Sequence, residues 1–244
     1  MTTHEPPPGH GTPHAGPEQA PAALTGPQAD TPLEPHEDPY GQALSPASGP
    51  LFLRRCDGGW LASEVDRWCA AADEADMTVL RRCVGAVLDV GCGPGRLVAA
   101  LREAGHPVLG IDVSRAAVAR TQEAGGAALC RSVFDALPGE RTWDCALLLD
   151  GNIGIGGDPV ALLERLAGLV APSGGLLFVE ADPCEVDERM AVRFDDGCGR
   201  TGRPFPWARV GAAALRRMAR VTGWTPTDQW SVGGRHFLTL RRPG

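Results

Sequence analysis

The chain has 244 residues, a formal charge of −7 and 43% hydrophobic residues, enough for one ordinary globular domain. Its acidic balance, with no dense arginine cluster, argues against a nucleic-acid partner. No run reaches the ~18 unbroken apolar residues of a membrane span.

The first fifty residues hold twelve of the 22 prolines and four of the six histidines. Such a stretch buries too little to offset its ordering entropy, so residues 1–48 are expected to be a disordered Pro-rich tail, with His4, His10, His14 and His36 solvated rather than metal-binding. The start lacks the charged and apolar regions of a signal peptide, so a cytoplasmic protein is expected. Eight cysteines form no CxxC pair, and reduced thiols with no metal site are the simplest reading.

From residue 49 to 244 the pattern is that of a folded domain. Residues 63–85 read as one broken or two short helices, with Asp73 a plausible N-cap and Gly85 a stop. "AVLDV" (86–90) is a buried strand, and "GRLVAALREAG" (95–105) a helix with Leu97, Leu101 and Ala104 on one face. "PVLGID" (107–112) is a second strand, and 114–126 a helix capped by Ser114. Strands are predicted at 127–133, 144–150 and 175–180, with an Asp-Pro-capped helix at 158–170. A polar, glycine-rich stretch (181–206) precedes a predicted helix at 207–223, and a Gly-Gly turn joins two final strands. Alternating strands and helices predict a three-layer, Rossmann-like α/β fold: a mostly parallel seven-stranded sheet ending in an antiparallel hairpin. The loops at the carboxyl ends of its strands should share one rim and hold the ligand.

The glycine-rich turn "VLDVGCGPGRL" (87–97) joins the first of these strands to its helix. A P-loop would need GxxxxGK[ST], which is absent. A dinucleotide fingerprint would need glycine where Arg96 stands. Asp89, two residues before the first glycine, would oppose a pyrophosphate but attract an ammonium. S-adenosylmethionine offers an amino-acid end, a sulfonium and no phosphate.

"VLDVGCGPG" resembles motif I of the class I S-adenosylmethionine-dependent methyltransferases, and the resemblance extends in element order over residues 86–241. It implies a cofactor site in which Gly91, Cys92, Gly93 and Gly95 form the close-approach turn and Asp89 lies near the cofactor's amino end. Asp112, followed by Val113, matches the family's ribose-binding acid. Phe134 and Asp135, in "SVFDALP", match the segment beside adenine. Asp150 and Asn152 fall near the methionine portion and the transferred methyl.

Methyl transfer needs the acceptor held in line behind the methyl, and a general base only if the acceptor must lose a proton. His236, Asp182 and Glu180 are the candidate bases. The N-terminal helices (49–85) and the 181–209 insertion are expected on the substrate side, with Arg193, Trp207, Arg209 and Arg235 offering contacts to a flat or anionic small acceptor. The [ND]PP[FY] sequence of amine-methylating nucleic-acid and protein enzymes is replaced here by "DGNI". The expected activity is therefore methylation of a small molecule by in-line transfer. The alternatives are an NAD(P)-dependent oxidoreductase, which Arg96 and Asp89 disfavour, and a non-catalytic cofactor-binding regulatory module.

Overall fold

The structure, a computed structural model, describes residues 1, 39–44, 50–61 and 64–242. Most of the expected tail, with its four histidines, lies outside the described residues. Within the tail, however, Pro39–Ala43 forms a short helix, α1. Its Tyr40 stacks on Phe194 and meets Trp68 edge-on, contacts that the local composition did not announce.

Strands β1 (Phe52–Arg55) and β2 (Trp60–Leu61) follow, then helices α2 (Val65–Cys69) and α3 (Glu74–Leu80). Asp73 caps α3 in a reciprocal box: it accepts from Asp76 N at 2.7 Å, and the Asp76 carboxylate accepts from Asp73 N at 3.0 Å. The regular alternation then begins. It runs through β3 (Val87–Val90), α4 (Arg96–Glu103), β4 (Val108–Asp112), α5 (Arg115–Glu123), β5 (Ala128–Cys130) and β6 (Cys145–Leu148). A 3-10 turn (Asn152–Gly157), α6 (Pro159–Leu169) and β7 (Leu176–Ala181) come next. The chain continues with β8 (Asp187–Asp195), β9 (Phe205–Val210), α7 (Ala212–Val221), β10 (Thr225–Val232) and β11 (Arg235–Arg241).

Seven strands form the main sheet in the order β10-β11-β7-β6-β3-β4-β5. The pairs among β3 to β7 are parallel, while β11 runs antiparallel to both β7 and β10. Gly233 and Gly234, both at positive φ, make the two-residue turn of this hairpin. The strand order reverses at β3, so the crevice at the carboxyl ends of β3 and β6 is the ligand position that such sheets provide. One face carries Leu88, Val90, Leu148 and Val179 against α6 and α7. The other carries Val87, Leu147, Phe178 and Phe237 against α3 and α4.

The second sheet, in the order β2-β1-β8-β9, is antiparallel throughout. It corrects two expectations. The 181–206 stretch is not merely a polar loop, and residues 207–210 belong to β9 rather than to the helix, which starts at Ala212. Pairing with Met190 and Ala191 on β8 claims Trp207 and Pro206 for the sheet. β9 lies directly on the 3-10 turn: a Cβ at Gly154 would stand 2.3 Å from the Ala208 carbonyl oxygen, so only glycine fits there.

Asp158 caps α6. Asp158 accepts from the backbone N–H groups of Val160 and Ala161 at 3.0 and 3.2 Å. Asp158→Ala should destabilise the fold by about 1 kcal/mol, read as a lower urea midpoint at unchanged slope.

Candidate active site at the glycine-rich turn

The turn after β3 is held in shape from several sides. Gly91, Gly93 and Gly95 have φ of 74°, 54° and 89°, the left-handed region that glycine adopts without strain. The Asn152 amide donates to the carbonyls of Val90 and Gly91 at 2.9 and 3.0 Å. The Gly93 N–H donates to Asp112 Oδ2 at 2.9 Å, and its carbonyl accepts from Thr121 Oγ1 at 3.0 Å. Asp112 thus ties the first crossover to the second, and its Oδ1 also accepts from Ser114 N at 2.8 Å. Cys92 turns inward, packing with Val98, Val118 and Ala128.

Asp89 lies beneath this turn with 1% of its surface exposed. Its Oδ2 is buried with no hydrogen-bond partner among the described residues. Burial pushes its pKa up to about 7, against the pull of Arg96 and reinforced by the Asp150, Asp112 and Asp76 carboxylates.

Beside it sits a network of which sequence reasoning named Asp73, Arg96, Asp150, Glu180 and Arg235 singly, and Arg67 and Asp76 not at all. Arg96 makes a two-pronged contact with Asp76 at 2.9 and 3.0 Å and reaches Asp150 at 2.7 Å. Arg235 grips Glu180 at 2.7 and 2.8 Å, meets Asp76 at 2.9 Å, and extends to Asp73 and Asp150. Arg67, which also pairs with Glu64, bonds Asp150 at 2.7 Å. Asp76 is fully buried; burial would raise its pKa, but Arg96 and Arg235 hold it below the usual carboxylate value. Burial likewise pushes Asp150 up to about 6, against Arg96 and Arg67. Three guanidiniums face five carboxylates (Glu64, Asp73, Asp76, Asp150 and Glu180), and Asp89 adds a sixth. The arrangement has negative charge to spare for a cation.

This geometry bears on each of the other candidate residues. Val113, just past β4, is an exposed apolar side chain. Phe134 is half-buried against the core, close to Gly156. Asp135 turns its side chain to Ser132 N at 3.1 Å, while Arg165 pins the same loop through the carbonyls of Val133 and Asp135. Glu180 is taken up by Arg235 and by the Asp150 N–H, and Asp182 by Arg209 at 2.8 and 3.1 Å. Neither carboxylate stands unpaired as a base, and Arg209 and Arg235 are spent on them rather than open to an acceptor. His236 bonds Ser231 at 2.8 Å and lies on the opposite face of β11 from Arg235. Arg193 sits on β8, with Cys56 at 3.7 Å. Trp207 packs beside Gly154 and Phe205.

A family model described as "Methyltransferase domain" matches residues 61–229. The chain belongs to this methyltransferase family. A search of the curated proteins found no match. Among solved structures, the fold is similar to a SAM-dependent methyltransferase from Bacteroides fragilis in complex with S-adenosyl-L-homocysteine. The TM-score is 0.71 at 21% identity, over 85% of this chain and 96% of that one. It is also similar to the sugar N-methyltransferase KedS8 from Streptoalloteichus, with a TM-score of 0.56 at 21% identity, over 77% and 96% of the two chains. A third is 1,6-didemethyltoxoflavin-N1-methyltransferase of Burkholderia thailandensis, with a TM-score of 0.50 at 21% identity, over 68% and 76%. These likenesses place the seven-stranded sheet and its terminal hairpin among methyltransferase folds. Among the described residues, no helix is long and apolar enough to cross a membrane.

The ion network yields a direct test. Arg96→Met leaves Asp76 buried without its two-pronged partner and should cost about 3–5 kcal/mol of stability at pH 8. Protonation of Asp76 and Asp150 relieves the uncompensated charge, so urea titrations should show a smaller loss at pH 5 than at pH 8.

Proposed function

We propose that the protein is an S-adenosylmethionine-dependent methyltransferase that acts on a small-molecule acceptor. The observation that carries this reading is Asp89 Oδ2, a buried carboxylate oxygen with no partner among the described residues, beneath a glycine turn and beside a network with surplus negative charge. A buried acceptor left unmatched is costly, and an ammonium is the partner that relieves both the hydrogen-bond deficit and the charge. A pyrophosphate would do neither.

When bound, S-adenosylmethionine supplies an electrophilic methyl on a sulfonium. The chain's own residues bind and orient. Gly91, Gly93 and Gly95 keep side chains out of the approach to the turn, and Asp89 receives the amino end. Asp112 already accepts from Gly93 N and Ser114 N, and a carboxylate has further lone pairs for a ribose diol. Val113 and Phe134 offer apolar surface to the adenine, with Asp135 at its edge. Asn152 acts through the turn, which it pins, while Asp150 holds the guanidiniums of Arg67 and Arg96 at the rim.

Holding an acceptor in line behind the methyl contributes on the order of 7–11 kcal/mol without any proton transfer. Glu180 and Asp182 are ion-paired and His236 faces away from the network, so the reading assigns the chain a positioning role, with an acceptor that is nucleophilic in its own right. The carboxylates of the network serve the cofactor rather than the acceptor. The expected setting is the cytoplasm.

Calorimetry distinguishes this reading from a nicotinamide enzyme. S-adenosylhomocysteine and S-adenosylmethionine should bind and NAD should not, and Asp89→Asn should weaken S-adenosylmethionine by about tenfold or more, the value of one charge-assisted hydrogen bond. NAD binding without S-adenosylmethionine binding would refute it.

A further inference from the structure

Five aromatic rings form a connected arc that reaches the glycine turn through Tyr40. Trp68 on α2 meets Tyr40 on α1 edge-on at 6.0 Å, and Tyr40 stacks on Phe194 of β8 at 5.1 Å and 15°. Phe194 lies 5.3 Å from Phe205 of β9, which meets Trp207 at 6.0 Å. Trp207 in turn lies against Gly154, where a Cβ would stand 2.7 Å from the indole. Four residues earlier, Asp150 bonds Arg67, the neighbour of Trp68, at 2.7 Å. The chain of contacts therefore closes on itself, from α2 through α1, across the second sheet and back by way of the 3-10 turn. It reaches the cofactor turn through Tyr40: a Cβ at Gly93 would come within 3.2 Å of the Tyr40 hydroxyl.

Two properties of this circuit point to an occupant. All five rings are half-buried rather than buried, so none is simply part of the core. Two adjacent members also carry buried N–H donors that have no partner among the described residues, Arg67 Nε and Trp68 Nε1. Buried donors are almost always satisfied, and a site built for an oxygen leaves its donors unpaired until it fills. Aromatic faces favour flat π-systems, and a few placed donors in a mostly apolar site set orientation.

We propose that this aromatic circuit is the acceptor site and that the acceptor is a planar aromatic molecule bearing a carbonyl, phenolic or carboxylate oxygen, which receives hydrogen bonds from Trp68 Nε1 and Arg67 Nε. The proposal rests on the methyltransferase reading above and narrows its substrate class. A saturated amino sugar offers no π-face to the rings, and its ammonium finds no acceptor in the two donors.

Saturation-transfer NMR on the full chain loaded with S-adenosylhomocysteine tests it, with umbelliferone, 4-quinolone and 4-hydroxybenzoate as planar probes and glucosamine and myo-inositol as saturated ones. The planar set should bind and the saturated set should not. Trp68→Phe keeps a ring and removes the donor; it should weaken the planar probes by about tenfold while leaving S-adenosylhomocysteine affinity unchanged. Phe194→Leu should weaken the same probes with the same cofactor control. Binding of glucosamine in place of the planar probes, no binding of any planar probe, or planar binding indifferent to Trp68→Phe would each overturn the proposal. Failure of S-adenosylhomocysteine to bind the unmodified chain, read separately by calorimetry, would instead remove the methyltransferase reading and this inference with it.

Discussion

The site depends on how Arg96 and Arg235 share the buried carboxylate of Asp76. That residue belongs to α3, Arg96 opens α4, and Arg235 begins β11, so one fully buried acid fixes three elements that no backbone ladder joins. Arg96 sits at a helix N-terminus, where the macrodipole disfavours a cation, and Asp76 and Asp150 offset that cost. Buried ion pairs of this kind add little net stability over apolar packing, but removing one partner is expensive. Their value lies in registration: Asp150 at the end of β6, Glu180 near the end of β7 and the helices before β3 are all held at one rim.

The same cluster sets the field in which Asp89 operates. Burial above all raises the Asp89 pKa to about 7; Arg96 pulls against it, and the Asp150, Asp112 and Asp76 carboxylates add to it. Asp89 and Asp150 bind protons more tightly in the folded chain than in the unfolded one. They therefore favour folding at lower pH, and that contribution is lost as the pH rises through their folded values of about 7 and 6. A bound cation removes this penalty. Fold and ligand are thus linked through one carboxylate, while Asn152, Asp112 and Thr121 keep the turn above it in a single shape. Such preorganisation spares the site from rearranging on binding.

The parallel core was readable because its strands are short apolar runs, the first two followed by a glycine or a helix cap, at Val87–Val90 and Gly91 and at Asp112 and Ser114. The second sheet was not. Leu53 pairs with Phe194, and Met190 with Trp207, so its strands become strands only through partners distant in sequence. Taken alone, the apolar spacing around Trp207 and Val210 continues smoothly into the real helix at Ala212. Tyr40, the chain's single tyrosine, was hidden in a proline-rich context, and nothing local links it to Phe194. The cofactor turn announced itself through Asp89 and Arg96, but Arg96 read only as a missing glycine. Its partner Asp76 lies twenty residues earlier, three past the Asp73 cap, and nothing local links the two.

The central claim is that Asp89 is an acid held in readiness for a cationic ligand. Carbon-13 NMR of the aspartate carboxyls, with Asp89→Asn to assign the resonance, follows its titration directly. The midpoint should lie near pH 7 in the free protein and well below that value when S-adenosylmethionine is bound. A midpoint in the ordinary range near 4, or one that S-adenosylmethionine does not move, would contradict it.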